Sequence, residues 1–171
     1  DGVGSFDTPV KYTAGGAPFV GMALADLNND SYLDLGLTYI GTSTIGILMG
    51  NGDGTFGTPR MMEVGKFPWR LGFARLNRDN NIELIITKTF NGGQGDNEAV
   101  AAPGYGDGSF GEAVTIHTQP NNGVSMIEFA VSDFNGDGVQ DFAFSKKVSF
   151  VGDFLSVYLG RQTDDIEEFP W

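Results

Sequence analysis

Apolar residues alternate with small or polar residues in short runs along the whole chain, and turn-forming residues separate these runs. Such period-two runs are typical of β-strands. The predicted strands are 19–25, 34–40, 44–49, 58–64, 69–74, 83–87, 99–102, 113–116, 126–132, 141–145 and 154–159. Gly accounts for 26 of the 171 residues, about twice the usual share, which favours many tight turns. The pattern therefore predicts an all-β chain.

A glycine-rich turn motif indicates that the strands form repeating units. Gly52-Asp-Gly-Thr-Phe56 recurs as Gly106-Asp-Gly-Ser-Phe110, and the related segment Gly2-Val-Gly-Ser-Phe6 lies near the first residue. The copies lie about fifty residues apart, and four short strands in such a period are typical of a propeller blade. We predict approximate units at 14–64, 65–117 and 118–171, with 1–13 as the outer strand of a preceding or swapped blade.

A loop rich in Asp and Asn joins the first and second strands of the first and third units. Its oxygen side chains stand at positions one, three, five and nine: Asp26, Asn28, Asp30 and Asp34, and again Asp133, Asn135, Asp137 and Asp141. Hard cations such as Ca²⁺ take about six to eight oxygen ligands, and alternate residues of a tight loop can converge on one ion. An EF-hand would need Glu at position twelve and flanking helices. Position twelve here is Phe144, and the flanks alternate as strands do.

Together, the patterns D-x-N-x-D-x-x-x-D and G-D-G-[ST]-F resemble the FG-GAP/VCBS repeats of integrin-α-like β-propellers. The resemblance covers nearly the whole chain, because both motifs keep phase over the repeats. It implies a β-propeller with Ca²⁺ in the loop between the first and second strands of a blade. The implied ligands are the eight side chains just given, completed by the backbone carbonyls of Tyr32 and Val139.

The second unit departs from this pattern at Arg75–Glu83. Asn77, Asp79 and Glu83 keep oxygen side chains, but Arg75 replaces the first carboxylate. A guanidinium there could stand where the ion would sit and pair with Asp79 or Glu83. We therefore predict two calcium sites and an empty third copy.

Three units are fewer than the four to eight blades of a complete propeller. We expect about three four-stranded blades, forming a partial propeller or one completed by another chain. The strand at 7–13 would pair with the third unit or with another molecule, because an unpaired strand edge is a template for association. Two copies would give the simplest closed ring, and a non-closing contact would give a filament. The first residue, Asp1, is not Met, which indicates a processed protein or a piece of a longer one.

Composition excludes several classes of function. The formal net charge is −12 without a basic patch, which argues against nucleic-acid binding and suits cation sites. The chain has no Cys, so disulfides, thiolate metal sites and Cys nucleophiles are excluded. No apolar run reaches the length of a transmembrane helix, so membrane insertion is not expected.

The sequence gives no support for an enzyme. His117 is the single histidine and has no catalytic motif around it, so we interpret it as a surface or satisfied histidine. No Ser lies in a nucleophile-elbow context. The carboxylates are assigned to the cation loops, although the sequence leaves a glycosidase-type pair open.

Two weaker candidate sites remain. Trp69 and Arg70 lie at the start of a predicted inner strand. An aromatic face near a propeller surface could stack on a sugar there. A core or inter-blade position for Trp69 is the simpler interpretation. Asn29-Asp-Ser31 is an N-glycosylation sequon, and Asn29 is expected to point outward from its loop.

These observations predict a non-catalytic, calcium-stabilised binding or adhesion module that recognises a glycan or a protein. Weak calcium sites suit extracellular fluid, so we expect an extracellular or cell-surface location. The alternatives are a structural subunit that self-assembles by strand complementation, and an accessory propeller of a secreted enzyme.

Overall fold

The chain folds into short antiparallel strands. A computed structural model describes residue 4 and residues 8–12, 18–77, 79–90, 95–120, 124–148 and 152–159. These residues include no helix, and hence none that is long and apolar enough to cross a membrane. The strands are β1 (Phe19–Ala25), β2 (Asp34–Tyr39), β3 (Thr44–Leu48), β4 (Arg60–Glu63), β5 (Pro68–Ala74), β6 (Glu83–Lys88), β7 (Asn97–Ala102), β8 (Val114–Gln119), β9 (Val124–Ser132), β10 (Asp141–Val148) and β11 (Gly152–Tyr158). The all-β prediction is confirmed.

Each of the eleven strands predicted between residues 19 and 159 has a counterpart, with ends that shift by a few residues. β4 begins at Arg60 rather than at residue 58, since Pro59 has no N–H to give to a sheet. β8 continues to Gln119, because its polar end still pairs with β7, Gln119 opposite Asn97. Local alternation thus located the strands, and pairing with neighbours set their ends.

The strands form three antiparallel sheets in which each strand pairs with its neighbour in sequence. Sheet A has the order β1-β2-β3-β4, sheet B the order β5-β6-β7-β8, and sheet C the order β9-β10-β11. Residues 160–171, the end of the third predicted unit, lie outside the described residues. The described part of the chain does not close into a ring of sheets.

Sheets A and B pack face to face over an aliphatic core. Ile45 and Ile47 of β3 join Leu84 and Ile86 of β6 in this core. Close approach depends on Gly36, because a Cβ atom there would lie 2.6 Å from Leu71 Cδ1. Such a contact would be a clash, so this glycine allows β2 and β5 to approach each other.

Sheets B and C pack over a second, aromatic core. Ile85 and Ala101 of sheet B contact the cluster that contains Phe142 and Phe144 of β10. The Phe142 ring stacks on Tyr158 with centroids 4.8 Å apart. Sheet B therefore packs against another sheet on both of its faces. Among the described residues, sheets A and C each pack against one other sheet.

The N-terminal segment was expected to be an outer strand. Residues 8–12 belong to no strand here, and most of the rest of segment 1–13 lies outside the described residues. Tyr12 contacts the turn of sheet A, since its ring packs edge-on against Phe56 at 5.8 Å and its hydroxyl donates to Gly54 O at 3.4 Å. Pairing of this segment with another strand stays a prediction.

Candidate metal centres

Loop 1, residues 26–33, is shaped by its own oxygen side chains. Asp26 Oδ2 accepts a hydrogen bond from Ser31 N at 2.8 Å, and Asp30 Oδ1 accepts one from Tyr32 N at 2.8 Å. Asn28 Oδ1 accepts one from Asp30 N at 3.1 Å. Ser31 has a φ of 71°, a left-handed conformation that tightens the turn. Three residues predicted to bind the ion therefore also fix the loop backbone.

Loop 3, residues 133–140, repeats these bonds at the corresponding positions. Asp133 Oδ2 accepts from Gly138 N at 2.8 Å, Asn135 Oδ1 from Asp137 N at 2.9 Å, and Asp137 Oδ1 from Val139 N at 2.9 Å. These backbone donors, Gly138 N–H first, hold the pKa of Asp133 below its usual value. The carboxylate is thus kept ionised, as a cation ligand must be.

The position-nine carboxylates hold each loop to its sheet. Asp34 is fully buried, and its two oxygens accept from Leu27 N and Gly50 N, both at 2.8 Å. Asp141 is equally buried and accepts from Phe134 N at 2.7 Å. Both side chains therefore tie the start of the loop to the start of the next strand, and their calcium-ligand role stays a prediction.

The donor chemistry of loops 1 and 3 suits a hard cation, because all the side chains offer oxygen. In both loops the amide of position three donates to the carboxylate of position five, Asn28 Nδ2 to Asp30 Oδ2 at 2.7 Å and Asn135 Nδ2 to Asp137 Oδ2 at 3.0 Å. Among the described residues, no three Asp, Glu, His or Cys side chains converge into a group that could hold an ion. The position-nine carboxylates of both loops accept hydrogen bonds from backbone N–H groups.

Loop 2, residues 75–82, has the same backbone bonds. Asn77 Oδ1 accepts from Asp79 N at 2.9 Å, and Asp79 Oδ1 accepts from Asn81 N at 2.8 Å. Glu83 Oε2 accepts from Leu76 N at 2.7 Å, as Asp34 and Asp141 accept in their loops. The loop conformation therefore does not require a carboxylate at position one.

Arg75 does not make the ion pair that the sequence suggested. Among the described residues, no ion pair within 4 Å joins it to the Asp79 or Glu83 carboxylate. Burial raises the pKa of Glu83, and the charge of Arg75 opposes part of that rise. The Nε of Arg75 approaches the Asn80 carbonyl oxygen at 3.5 Å. The reason is the burial of Glu83, whose carboxylate faces the backbone, while the guanidinium remains near the surface.

Glu83 differs from its counterparts in one oxygen. The residue is fully buried, and Glu83 Oε1 has no hydrogen-bond partner. Burial in this position raises the pKa of Glu83 to about 7. The sequence placed this residue correctly in the loop, but only the structure shows that the longer side chain leaves one oxygen unpaired.

The loops contact the neighbouring sheets at one end of the molecule. Gln140 of loop 3 exchanges two bonds with Arg75 of loop 2, since Arg75 N donates to Gln140 Oε1 at 2.6 Å and Gln140 N donates to Arg75 O at 3.3 Å. Gly108, in the turn of sheet B, donates from N to Leu27 O of loop 1 at 3.2 Å. Sequence reasoning missed these contacts, because Gln140 belongs to no motif.

In each of the two glycine-rich turns, the aspartate accepts hydrogen bonds from a residue of the same turn. Asp53 Oδ1 accepts from both Thr55 N at 2.9 Å and Thr55 Oγ1 at 2.6 Å. Asp107 accepts from the N–H and the hydroxyl of Ser109 in the same way. The hydroxyl bond, followed by the backbone bond, lowers the pKa of each aspartate. This explains why Ser or Thr follows Gly-Asp-Gly.

Arg70 connects the three sheets, and Trp69 lies beside it. Arg70 Nη1 donates to Val20 O at 2.9 Å, and its Nη2 lies 2.8 Å from Glu128 Oε1. The guanidinium carbon is 5.3 Å from the centre of the Trp69 ring. A groove of about 320 Å³ runs along the first strand of each sheet; residues that line it include Met22, Leu24, Arg70, Phe73, Glu128 and Phe129. Arg70 is therefore held in place by protein contacts beside a concave surface.

His117 is a partly buried histidine. Its Nδ1 and the Tyr158 hydroxyl form a hydrogen bond, and its ring lies 4.9 Å from that of Phe144. The side chain thus joins sheet B to sheet C. The interpretation of this residue as a surface or satisfied histidine stays a prediction.

Asn29 lies at the tip of loop 1. It is exposed and has a φ of 60°, a left-handed conformation that Asn tolerates better than most residues. The predicted sequon is thus on the surface, and its modification stays a prediction.

The chain matches no protein-family model, no curated protein and no solved structure. The geometry of the three loops and sheets therefore carries the functional argument.

Proposed function

We propose that the chain is a non-catalytic binding or adhesion module of the FG-GAP/VCBS type, built of β-propeller-type repeats and stabilised by Ca²⁺ in loops 1 and 3. It acts outside the cell or at the cell surface, and its ligand is a glycan or a protein. The observation that carries the proposal is the repeated hydrogen-bond frame of the two loops, in which oxygen side chains occupy the same positions.

Calcium would stabilise the loops by neutralising the acidic side chains that each loop contains. A cation in loop 1 would bind Asp26, Asn28, Asp30 and the Tyr32 carbonyl, with Asp34 as a further ligand. To bind the cation, the Asn28 amide would have to rotate so that its oxygen, rather than its N–H group, faces the ion. The corresponding ligands in loop 3 are Asp133, Asn135, Asp137, the Val139 carbonyl and Asp141. The net charge of −12 favours cation binding in general.

Titration calorimetry with Ca²⁺ tests this proposal. We expect two bound ions per chain, and one fewer after Asp137→Ala. That variant should lose more thermal stability in Ca²⁺ than in chelator, where it loses only the hydrogen bonds from Val139 N and Asn135 Nδ2. Equal destabilisation of the variant in both buffers would contradict an ion in loop 3.

The groove near Trp69 and Arg70 is the proposed ligand surface, because it combines apolar side chains with one charged pair. A glycan array in Ca²⁺ tests the sugar version of the proposal. The expected result is binding that Trp69→Ala weakens, while the exposed-site control Tyr105→Ala leaves it intact. Absence of binding to every sugar would leave a protein as the ligand to be tested.

A second candidate is a self-assembling structural subunit. The observation that favours it is the exposure of large apolar side chains on β11. Such side chains on a sheet face are a common feature of interaction surfaces.

A further inference from the structure

Corresponding positions in the three sheets differ sharply in burial. In each sheet, one residue lies two positions after the position-nine carboxylate of the loop. These three residues pair across their sheets with Ile47 of β3, Ala101 of β7 and Val157 of β11. Ile47 and Ala101 are 3% and 0% exposed, because the next sheet covers them, whereas Val157 is 49% exposed. Leu155, on the same face, is 69% exposed. The corresponding face of sheet C is therefore exposed, whereas sheets A and B bury theirs.

The opposite end of the stack shows the converse. Leu24 and Met22 of β1 occupy the positions that Phe73 and Leu71 hold in β5. Leu71 is 4% exposed because sheet A covers it, whereas Met22 and Leu24 are 68% and 53% exposed. Along β1, sheet A therefore leaves exposed part of the type of face that sheets B and C bury. Other large side chains on the same face of sheet A are buried within the chain: Leu37, Tyr39 and Leu48.

The packing of sheet A on sheet B shows how two such faces fit. Leu71 and Phe73 enter the space above Gly36, which has no side chain to fill it. The residue of sheet C that corresponds to Gly36 is Ala143, two positions after Asp141, and it is also small. Met22 and Leu24 of another chain would meet a similar shallow surface.

We propose that the sheet C face, defined by Leu155, Val157 and Leu159, binds the sheet A face, defined by Met22 and Leu24, of a second copy of this chain. Along β1, the contact repeats between copies part of the packing that already joins sheets A, B and C. It is heterologous, so successive copies close into a ring or grow into a filament. This inference rests on the second candidate function and gives it its interface.

Charge sets the conditions for association. Each copy has a formal net charge of −12, which opposes contact between copies, whereas the two faces themselves are apolar. Added salt screens the repulsion and leaves apolar contacts intact. Association should therefore strengthen as salt is raised.

Light scattering over a range of chain concentrations tests the proposal. We expect masses above the 18.3 kDa of one chain that rise with concentration and with salt. Val157→Glu and Leu24→Glu should each return the mass to that of one chain. Tyr105→Glu, which adds the same charge at an exposed aromatic site on a turn, should leave the assembly intact. A wild-type chain of 18.3 kDa at every concentration would overturn the proposal.

A mixing experiment distinguishes this contact from a symmetric pairing of two sheet C faces. Val157→Glu keeps an intact sheet A face, and Leu24→Glu keeps an intact sheet C face. An equal mixture should therefore form a species of twice the mass that neither variant forms alone. If Leu24→Glu alone assembles like the wild type, the sheet A face is not the partner.

Folding controls and calcium calorimetry keep the outcomes separate. Both variants should keep the wild-type circular dichroism spectrum; if either does not, Val157→Ser and Leu24→Ser replace them, with the same expected loss of mass. Calcium stoichiometry tests the loops independently. A monomer that binds two ions would overturn only the assembly, and an assembly that binds none would overturn only the calcium sites.

Discussion

Loops 1 and 2 share the internal hydrogen bonds of positions three, five and nine, although loop 1 begins with Asp26 and loop 2 with Arg75. In both, positions three, five and nine accept the same backbone N–H groups. At position one the polarity is inverted, since Asp26 accepts from Ser31 N and Arg75 donates to Asn80 O. The loop conformation therefore depends on three positions, and we predict that position one decides whether a cation binds.

The second difference lies at position nine. Asp34 has a partner for each oxygen, whereas Glu83 has one oxygen buried without a partner. A buried carboxylate oxygen without a partner is costly, so loop 2 retains a cost that loop 1 avoids. Four substitutions test this comparison, in decreasing order of expected effect.

Removing the position-nine carboxylate from loop 1 should be the most harmful change. Asp34→Ala leaves Leu27 N–H and Gly50 N–H buried without an acceptor, which should lower the free energy of unfolding by about 3 kcal/mol. Urea denaturation measures this with and without Ca²⁺. Glu112→Ala, which removes an exposed carboxylate, should change stability little. An equally small effect of Asp34→Ala would refute its role in holding the loop.

Glu83 should make stability depend on pH in an unusual direction. Its folded-state pKa is raised from 4.5 to about 7, so the protonated form favours folding. This contribution is complete below pH 4.5 and is lost as pH rises to about 7. Glu83→Gln should remove this pH-dependent loss of stability. Near pH 8 its free energy of unfolding should exceed that of the wild type by up to about 3 kcal/mol. Parallel stability profiles for the two proteins from acid to neutral pH would contradict this assignment.

Restoring position one should give loop 2 a cation site. Arg75→Asp should add one bound Ca²⁺ per chain in calorimetry. It should also add about 2.7 kcal/mol of calcium-dependent stability at a free concentration of a hundred times the dissociation constant. Arg75→Ala, which removes the guanidinium without supplying a ligand, should not change the stoichiometry. If both variants gain an ion, the arginine alone had blocked a site that needs no first carboxylate.

Breaking the hydrogen-bonded contact between loops 2 and 3 should have the smallest effect on stability. Gln140→Ala removes the acceptor of Arg75 N and should cost about 1 kcal/mol in thermal unfolding. Leu33→Ala is the matched change in loop 1, at an exposed position without such a bond. If the two substitutions cost the same, the Gln140 contact does not couple the sheets.

The sequence predicted what local pattern encodes. Alternation located each strand, and the Asp and Asn spacing marked loops whose side chains do bind the loop backbone. It did not reveal the position of the Arg75 side chain, because that depends on the burial of Glu83. The Gln140 contact and the exposed Leu155 and Val157 also escaped prediction, since both depend on which sheet lies opposite.

Sheet B is packed on both faces, and this has a consequence for local unfolding. Where units contact only their neighbours, stability resembles a sum of unit terms and interface terms. Opening sheet B disrupts two interfaces, whereas opening sheet A or sheet C disrupts one. Backbone amides of β6 and β7 should therefore exchange hydrogen most slowly, and the chain should lose structure from its ends inward.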